Sequence, residues 1–378
     1  VIAKAIDIQN VLCYDYAVSK TFWETTPLVR GGALNMAVTI RDIAERTGKS
    51  ITTVSRALAG YDDVAPETKV LVRQVAVELG YEPNLLAQRL QKQRTDTIGL
   101  ILPTFGPRFS DPFFSEFLAG VGNRAARSGF DLLVSTQPPG EEEINAYRHK
   151  VQGRQVDGFI VVRTRRQDAR IDYLRRAGVP FAVFGRADGT LDFPFVDEDG
   201  VLGMRLMADH LARLGYRRVA CIAPPAELMF AQLRLQGLRE GLAEHGVLLE
   251  ESQIRVSDLT QRGGYAAAQS LLAEARIPDA IAACNDLMAL GAMSAAQSRG
   301  LVVGQDVAIT GFDDIPMAEH SHPPLTTLHQ PIYEIAATLT EMLLAIIAGK
   351  TPEQSQVILK PHLVIRRSCG SAAQPAQP

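Results

Sequence analysis

Cysteine is scarce in this chain. Cys13, Cys221, Cys284 and Cys369 are scattered through 378 residues with no CxxC pair, which excludes a dense disulfide framework and leaves free thiols of a reducing compartment. Long apolar runs are also missing. None approaches the roughly 20 residues that a bilayer span needs, and residues 1–35 lack the basic-then-apolar plan of a secretory signal, so a cytoplasmic protein without membrane contact is expected. Charge of one sign is absent as well: 39 Lys and Arg stand against 42 Asp and Glu, a formal balance of −3. A polyanion can therefore be bound only through a local patch. Catalytic signatures are lacking too, with no GxSxG elbow, HExxH helix, GxxxxGK[ST] loop or GxGxxG helix opening. His320 and His322 flank Ser321 without a third ligand and read as loop residues. No enzyme, metal or cofactor is expected.

What is present begins at residue 39. Thr39 caps a run with apolar Ile40, Ile43 and Ala44 at helical spacing, Gly48 reverses the chain, and Ser50 caps a second helix. On that helix Val54 and Leu58 can face the first one, which leaves Ile51, Thr52, Ser55 and Arg56 on the other side. A helix that buries one face and offers short polar groups and an arginine suits the DNA major groove; the plainer alternative is a helical hairpin with solvated charges. After Pro66 a third helix over 67–79 is expected to close the core with Val70, Leu71, Val75, Val77 and Leu79. Pro83 then breaks the chain, and Asn84 can cap a short helix over 84–92 that carries Leu86, Ala87 and Leu90. From Met36 to Thr95 nine basic residues face seven acidic ones, a balance of +2 that calls for two copies of the unit on DNA.

Short apolar runs then alternate with amphipathic stretches. Runs at 98–102, 131–135, 158–162, 181–184, 218–222, 280–283 and 307–311 read as buried strands. Stretches at 113–128, 143–152, 171–177, 200–214, 231–245, 263–273, 287–299 and 331–348 read as the intervening helices. That alternation predicts an α/β fold of parallel sheets covered by helices. Ligand sites in such folds lie at the carboxyl ends of strands. Asp111, Phe113, Phe114, Arg234, Asn285, Asp286 and Asp313 fall on the corresponding segments. Carboxylates, an arginine and an asparagine beside flat rings suit a sugar, although Asp286 could equally be a helix cap, Asp313 a turn residue, and the two phenylalanines mere packing.

Several ordered motifs resemble the lactose-repressor (LacI/GalR) family of bacterial transcription regulators. They are Val38–Ala44, Ser50–Leu58, Gly80-Tyr81-Glu82-Pro83-Asn84, Leu86–Leu90, Asp111–Phe114, Asp157–Ile160, Cys284–Gly291, Ile309–Asp314 and Pro324–Pro331. The resemblance spans about residues 37–369. It implies a helix-turn-helix head with a hinge helix over 36–95 and a two-lobed, periplasmic-binding-protein-like sugar-binding domain over 96–369, with the chain crossing between lobes near 194–196 and 325–330. Residues 1–35 become a disordered leader or an upstream start assignment, and 370–378 a disordered tail. It further implies a homodimer on double-stranded operator DNA, without the leucine heptads of a tetramer, and a mono- or oligosaccharide effector. Ile51, Thr52 and Arg56 would lie over base edges, Ser50, Thr53 and Ser55 toward phosphates, and Thr39, Asn84 and Ala87 would complete the DNA-facing set. Leu90 would wedge into the minor groove. Arg234 and Asp313 take positions that hold sugar hydroxyls, while Leu259 stands where the lactose repressor has a stacking tryptophan. The motifs around Asp111, Phe184-Gly185-Arg186 and Val196–Gly200 look most like the branch that responds to α-glucosides or raffinose-type sugars. The sign of the response, inducer or co-repressor, stays open. The competing reading, a transport-type sugar-binding protein, requires a signal peptide and no DNA-binding head.

Overall fold

The computed structural model describes residues 38–81, 94–104, 111–189 and 192–370. The whole leader, the hinge segment with Asn84, Ala87 and Leu90, and residues 371–378 of the tail lie outside the described residues. The chain divides into two compact units with the boundary at Gln88–Arg89.

The first unit is a three-helix head: α1 (Ile40–Thr47), α2 (Ile51–Ala59) and α3 (Pro66–Leu79). The start of α1 is fixed by Asp42, whose carboxylate accepts from the Thr39 amide at 2.7 Å and hydroxyl at 2.8 Å. Ser50 Oγ accepts from Thr53 N at the start of α2, at 3.1 Å. Gly48 and Gly60 end the two helices at φ +64° and +81°, a conformation that a side chain would strain. Ile43, Val54, Ala57, Val64, Val72 and Val75 form the core. The expected lining from α3 is corrected here. The buried stripe is Val72, Val75 and Ala76, at helical spacing, and it puts Val70 and Val77 on the outer face, 65% and 82% exposed.

The second unit holds two parallel sheets. The first has the order β11-β5-β4-β3-β1-β2, built from β1 (Thr97–Pro103), β2 (Asp131–Gln137), β3 (Gly158–Val161), β4 (Phe181–Phe184), β5 (Phe195–Glu198) and β11 (Gln356–Leu359). Side chains alternate across it. Ile98, Leu100 and Leu102 pack under α4 (Pro112–Arg127) and α12 (Ile332–Ile347), while Ile101 meets Tyr147 of α5 (Glu141–Gln152) and Ile171 of α6 (Ala169–Arg176) on the other face. Gly99 must be glycine for packing reasons, because a Cβ there would lie 2.7 Å from the Phe159 ring.

The second sheet has the order β7-β6-β8-β9, from β6 (Val219–Ala223), β7 (Ile254–Val256), β8 (Ala280–Ala283) and β9 (Ala308–Thr310). It is covered by α7 (Gly200–Arg213), α8 (Met229–Glu244), α9 (Gln261–Leu271) and α10 (Asp286–Ser298) around one large core. After the short α11 (Pro316–His320), β10 (Thr327–His329) pairs antiparallel with β12 (His362–Val364). The chain crosses between lobes three times, not twice. Residues 195–198 complete the first sheet as β5, so the first crossing follows Glu198; the second is at β10 and the third links β11 to β12. Cys221 and Cys284 are buried free thiols, and Cys369 is buried as well.

Candidate functional site

Two surfaces carry the chemistry. In the head, the face of α2 opposite the core presents Ile51, 49% exposed, together with exposed Thr52 and Arg56, and half-buried Thr53 and Ser55. Exposure of a large apolar residue beside an arginine and two threonines is unexplained by packing within the head. Ser50 and Thr53 also bond to each other through their hydroxyls at 2.8 Å. Arg56 is not free: its Nε and Nη2 donate to the Asp63 carboxylate, and its guanidinium lies 4.8 Å from the centre of the Tyr61 ring.

In the second unit a cleft of about 550 Å³, its open mouth included, lies at the carboxyl ends of strands from both sheets. Six of the seven ligand-binding residues expected from sequence line this cleft together: Asp111, Phe113, Phe114, Arg234, Asn285 and Asp313. Asp111 caps α4, its Oδ1 accepting from Phe113 N at 3.2 Å, and its Oδ2 accepts from Arg163 Nη2 at 2.9 Å. Burial pushes the Asp111 carboxyl up against the pull of Arg163, and the same burial lowers the arginine's own affinity for its proton. Phe113 stacks on Phe184 at 5.8 Å and meets Phe114 edge-on at 5.2 Å, which makes the apolar wall both a packing element and a lining.

Opposite, Arg234 of α8 is 4% exposed and engaged through both terminal nitrogens. Its Nη2 donates to Glu198 Oε1 at 2.7 Å, its Nη1 to the Cys284 carbonyl at 2.5 Å, and the Phe312 ring centre lies 3.5 Å below it. Asp313 stands 3.5 Å from the same guanidinium and accepts from Gln330 Nε2 at 2.6 Å. Its backbone sits at φ +117°, held by a bond from Asp313 N to Leu328 O at 2.8 Å. That geometry turns the carboxylate into the cleft. Burial drives the Asp313 carboxyl well above the usual carboxylate range; Arg234 opposes this, and Asp286, Asp111 and Glu198 add to it. Asp197, paired with Arg186 Nε at 2.6 Å, is pushed up to about 8 by burial beside Glu198. The Gln330 Oε1 and Arg234 Nε atoms are buried without a hydrogen-bond partner, polar groups left for something in the cleft to satisfy.

Asp286 is corrected. It neither lines the cleft nor caps a helix; Asn285 caps α10, accepting from Met288 N at 2.9 Å. Asp286 is fully buried, accepts from Thr327 Oγ1 at 2.5 Å and from Ile315 N at 2.9 Å, and occupies space that a Cβ on Gly311 would fill. It ties β10 to the start of α11. Sequence reasoning missed Arg163, Thr164, Asp197, Glu198, Phe230 and Gln330 as cleft residues. Arg163, Thr164 and Glu198 sit at or just past the ends of β3 and β5, so the rule that ligands bind at strand ends would have found them once those ends were placed. Among the described residues, no cluster of three or more His, Cys, Asp or Glu could hold a metal, and no helix is long and apolar enough to cross a membrane.

A head of this build joined to a two-lobed unit with a polar cleft defines a ligand-responsive type of DNA-binding regulator. Residues 39–84 match the model of the bacterial regulatory proteins, lacI family, and residues 208–369 match that of the periplasmic binding protein-like domain. The chain is 35% identical over 335 residues to the HTH-type transcriptional regulator CelR of Thermobifida fusca, covering 87% of this chain and 98% of that protein. A solved transcriptional regulator CelR–cellobiose complex superposes with a TM-score of 0.68 at 33% identity, covering 88% of this chain and 99% of that one. A lac repressor dimer bound to operator and the anti-inducer ONPF superposes with a TM-score of 0.78 at 28% identity, over 88% and 99% of the two chains. The chain belongs to the lacI family of bacterial regulatory proteins and is a DNA-binding transcriptional regulator.

Proposed function

We propose that this regulator is a repressor whose affinity for operator DNA is set by a small sugar held in the cleft between its lobes. The observation that carries the reading is the facing of Asp313, Arg234 and Asn285 by Asp111, Arg163 and the Phe113 ring across one cavity. Paired charged groups take vicinal hydroxyls in bidentate fashion, and a ring accepts the C–H face of a pyranose. Asp111, Phe113 and Phe114 come from one lobe, Arg234, Asn285 and Asp313 from the other, so a sugar that touches both favours the closed arrangement and couples to DNA through that preference. A homodimer working in the cytoplasm would lay two α2 helices in successive major grooves, with Ile51, Thr52 and Arg56 over base edges, Ser50, Thr53 and Ser55 toward phosphates, and Thr39 alongside. Asn84, Ala87 and Leu90 would enter the minor groove between them. The lac repressor dimer on its operator supports this assembly.

The effector class is a mono- or oligosaccharide, with α-glucosides and raffinose-type α-galactosides favoured by the motifs around Asp111 and Asp197. The CelR–cellobiose complex adds cellobiose to the set. Calorimetric titration of the full chain with cellobiose, maltose, sucrose, melibiose and raffinose tests the reading. One sugar should bind and raise the melting temperature in proportion to the logarithm of its concentration. Failure of every neutral sugar to bind, with a nucleoside or purine binding instead, would replace the sugar reading.

A further inference from the structure

Arg56 on α2 is held on two sides by the loop that follows the helix. Gly60, at φ +81°, turns the chain back so that Tyr61 N donates to Arg56 O at 3.1 Å and the Tyr61 ring lies under the guanidinium at 4.8 Å. Two residues on, Asp63 accepts from Arg56 Nε, at 3.3 Å, and from Nη2. The loop that carries both partners is anchored by Val64, buried in the head core, and by a bond from Val64 N to Tyr61 O at 3.3 Å. The Arg56 and Asp63 side chains remain 44% and 56% exposed. An ion pair that open to water contributes little to holding a fold together, so the arrangement needs another reason.

We infer that Asp63 and Tyr61 are positioning residues that set the Arg56 guanidinium to read a guanine, an inference that rests on α2 being the base-reading helix. The side edge of the guanidinium, Nε and Nη2, is occupied by Asp63. Its end edge keeps the Nη1 protons and the second Nη2 proton, two parallel donors with no acceptor among them. In the major groove only guanine offers two adjacent acceptors, O6 and N7, whereas adenine pairs its N7 with a donor. An arginine fixed before contact loses less rotamer freedom on binding and tolerates less error in the base it meets. Asp63 has a second effect through its charge. On a head with a basic excess of only +2, a carboxylate beside the reading arginine opposes phosphates and weakens binding to arbitrary DNA.

The test uses the full chain and an operator chosen by selection from randomised DNA, with affinities measured for that site, for every single-base variant of it and for unrelated duplex at several salt concentrations. Arg56→Ala should erase discrimination at one G·C pair. Asp63→Asn should keep the same preferred site, reduce discrimination at that pair about 5- to 10-fold, and bind unrelated DNA more tightly with a steeper salt dependence. Tyr61→Phe, which keeps the ring, should behave like the parent, and Tyr61→Ala like Asp63→Asn. If Arg56→Ala loses discrimination while Asp63→Asn and Tyr61→Ala retain it in full, the positioning role is refuted and the arginine reads alone. If Arg56→Ala discriminates as the parent does, base reading by Arg56 fails, and the positioning role with it.

Discussion

Removal of the Arg234 guanidinium should cost the second unit much of its stability as well as its ligand. In Arg234→Ala, Glu198, 2% exposed, loses the cation 2.7 Å away that neutralises it, and the Cys284 carbonyl loses its donor. Breaking a buried ion pair from one side costs about 3–5 kcal/mol, because the partner charge stays in a poorly solvated place. For a unit of this size each kcal/mol moves the melting temperature by roughly 2–4 °C, so a drop of about 10 °C is expected. The double variant Arg234→Ala with Glu198→Gln removes the stranded charge and should recover more than half of that drop, while ligand binding stays lost in both. Differential scanning calorimetry of parent, both singles and the double gives the coupling directly. A single variant melting within about 2 °C of the parent, or a double no better than Arg234→Ala, would refute the reasoning that this arginine is at once a structural and a ligand-binding group.

Asp313→Asn replaces a carboxyl already raised by burial with its near-isostere and can still accept from Gln330; it should therefore keep the melting temperature and operator affinity while weakening effector binding about 10-fold, as titration calorimetry would register. Asp286, pushed up to about 7 by burial, holds its proton more tightly in the native than in the unfolded state. Its contribution to stability is therefore complete below the unfolded value near 4 and is lost as pH rises toward 7, about 1.4 kcal/mol per pH unit within that window. Asp286→Asn should flatten the fall of melting temperature between pH 5 and pH 7, and an unchanged slope would assign that fall to other groups. Leu90→Ala should leave ligand affinity unchanged yet cut affinity for operator far more than for unrelated DNA and reduce the DNA bend read by energy transfer; equal bending would make residues 84–92 a plain linker.

Much of this molecule was legible in its residues because local rules and tertiary packing agree there. The Thr39 and Ser50 caps, the Gly48 turn and the buried Val54 follow from spacing alone, and the strands Phe181–Phe184 and Ala280–Ala283 fall where the apolar runs put them. Legibility ended where a residue's partner lies far along the chain. The half-exposed β11, Gln356–Leu359, has an apolar run of only Val357-Ile358-Leu359 and is completed by the edge that β5 offers it; β7 and β12 are three residues each and depend on β6 and β10 in the same way. On α3, several valines and leucines lie close together, and only contact with α1 and α2 decides which of them is core. Asp286 followed an asparagine that could cap equally well, and the choice was made by Thr327, 41 residues away. Arg56 looked free on its helix because Asp63 and Tyr61 belong to a loop whose path depends on Gly60.

The central claim, that occupancy of the cleft controls occupancy of DNA, is tested most directly by fluorescence anisotropy of the full chain on its selected operator during titration with the sugar that calorimetry identifies. The account predicts a shift of at least about 5-fold in operator affinity at saturating sugar, the coupling expected of two linked sites, with unrelated DNA affected far less and the shift abolished in Asp313→Asn at a sugar concentration that saturates only the parent. Operator affinity that stays constant from zero to saturating sugar, while calorimetry shows the cleft filled, would contradict it.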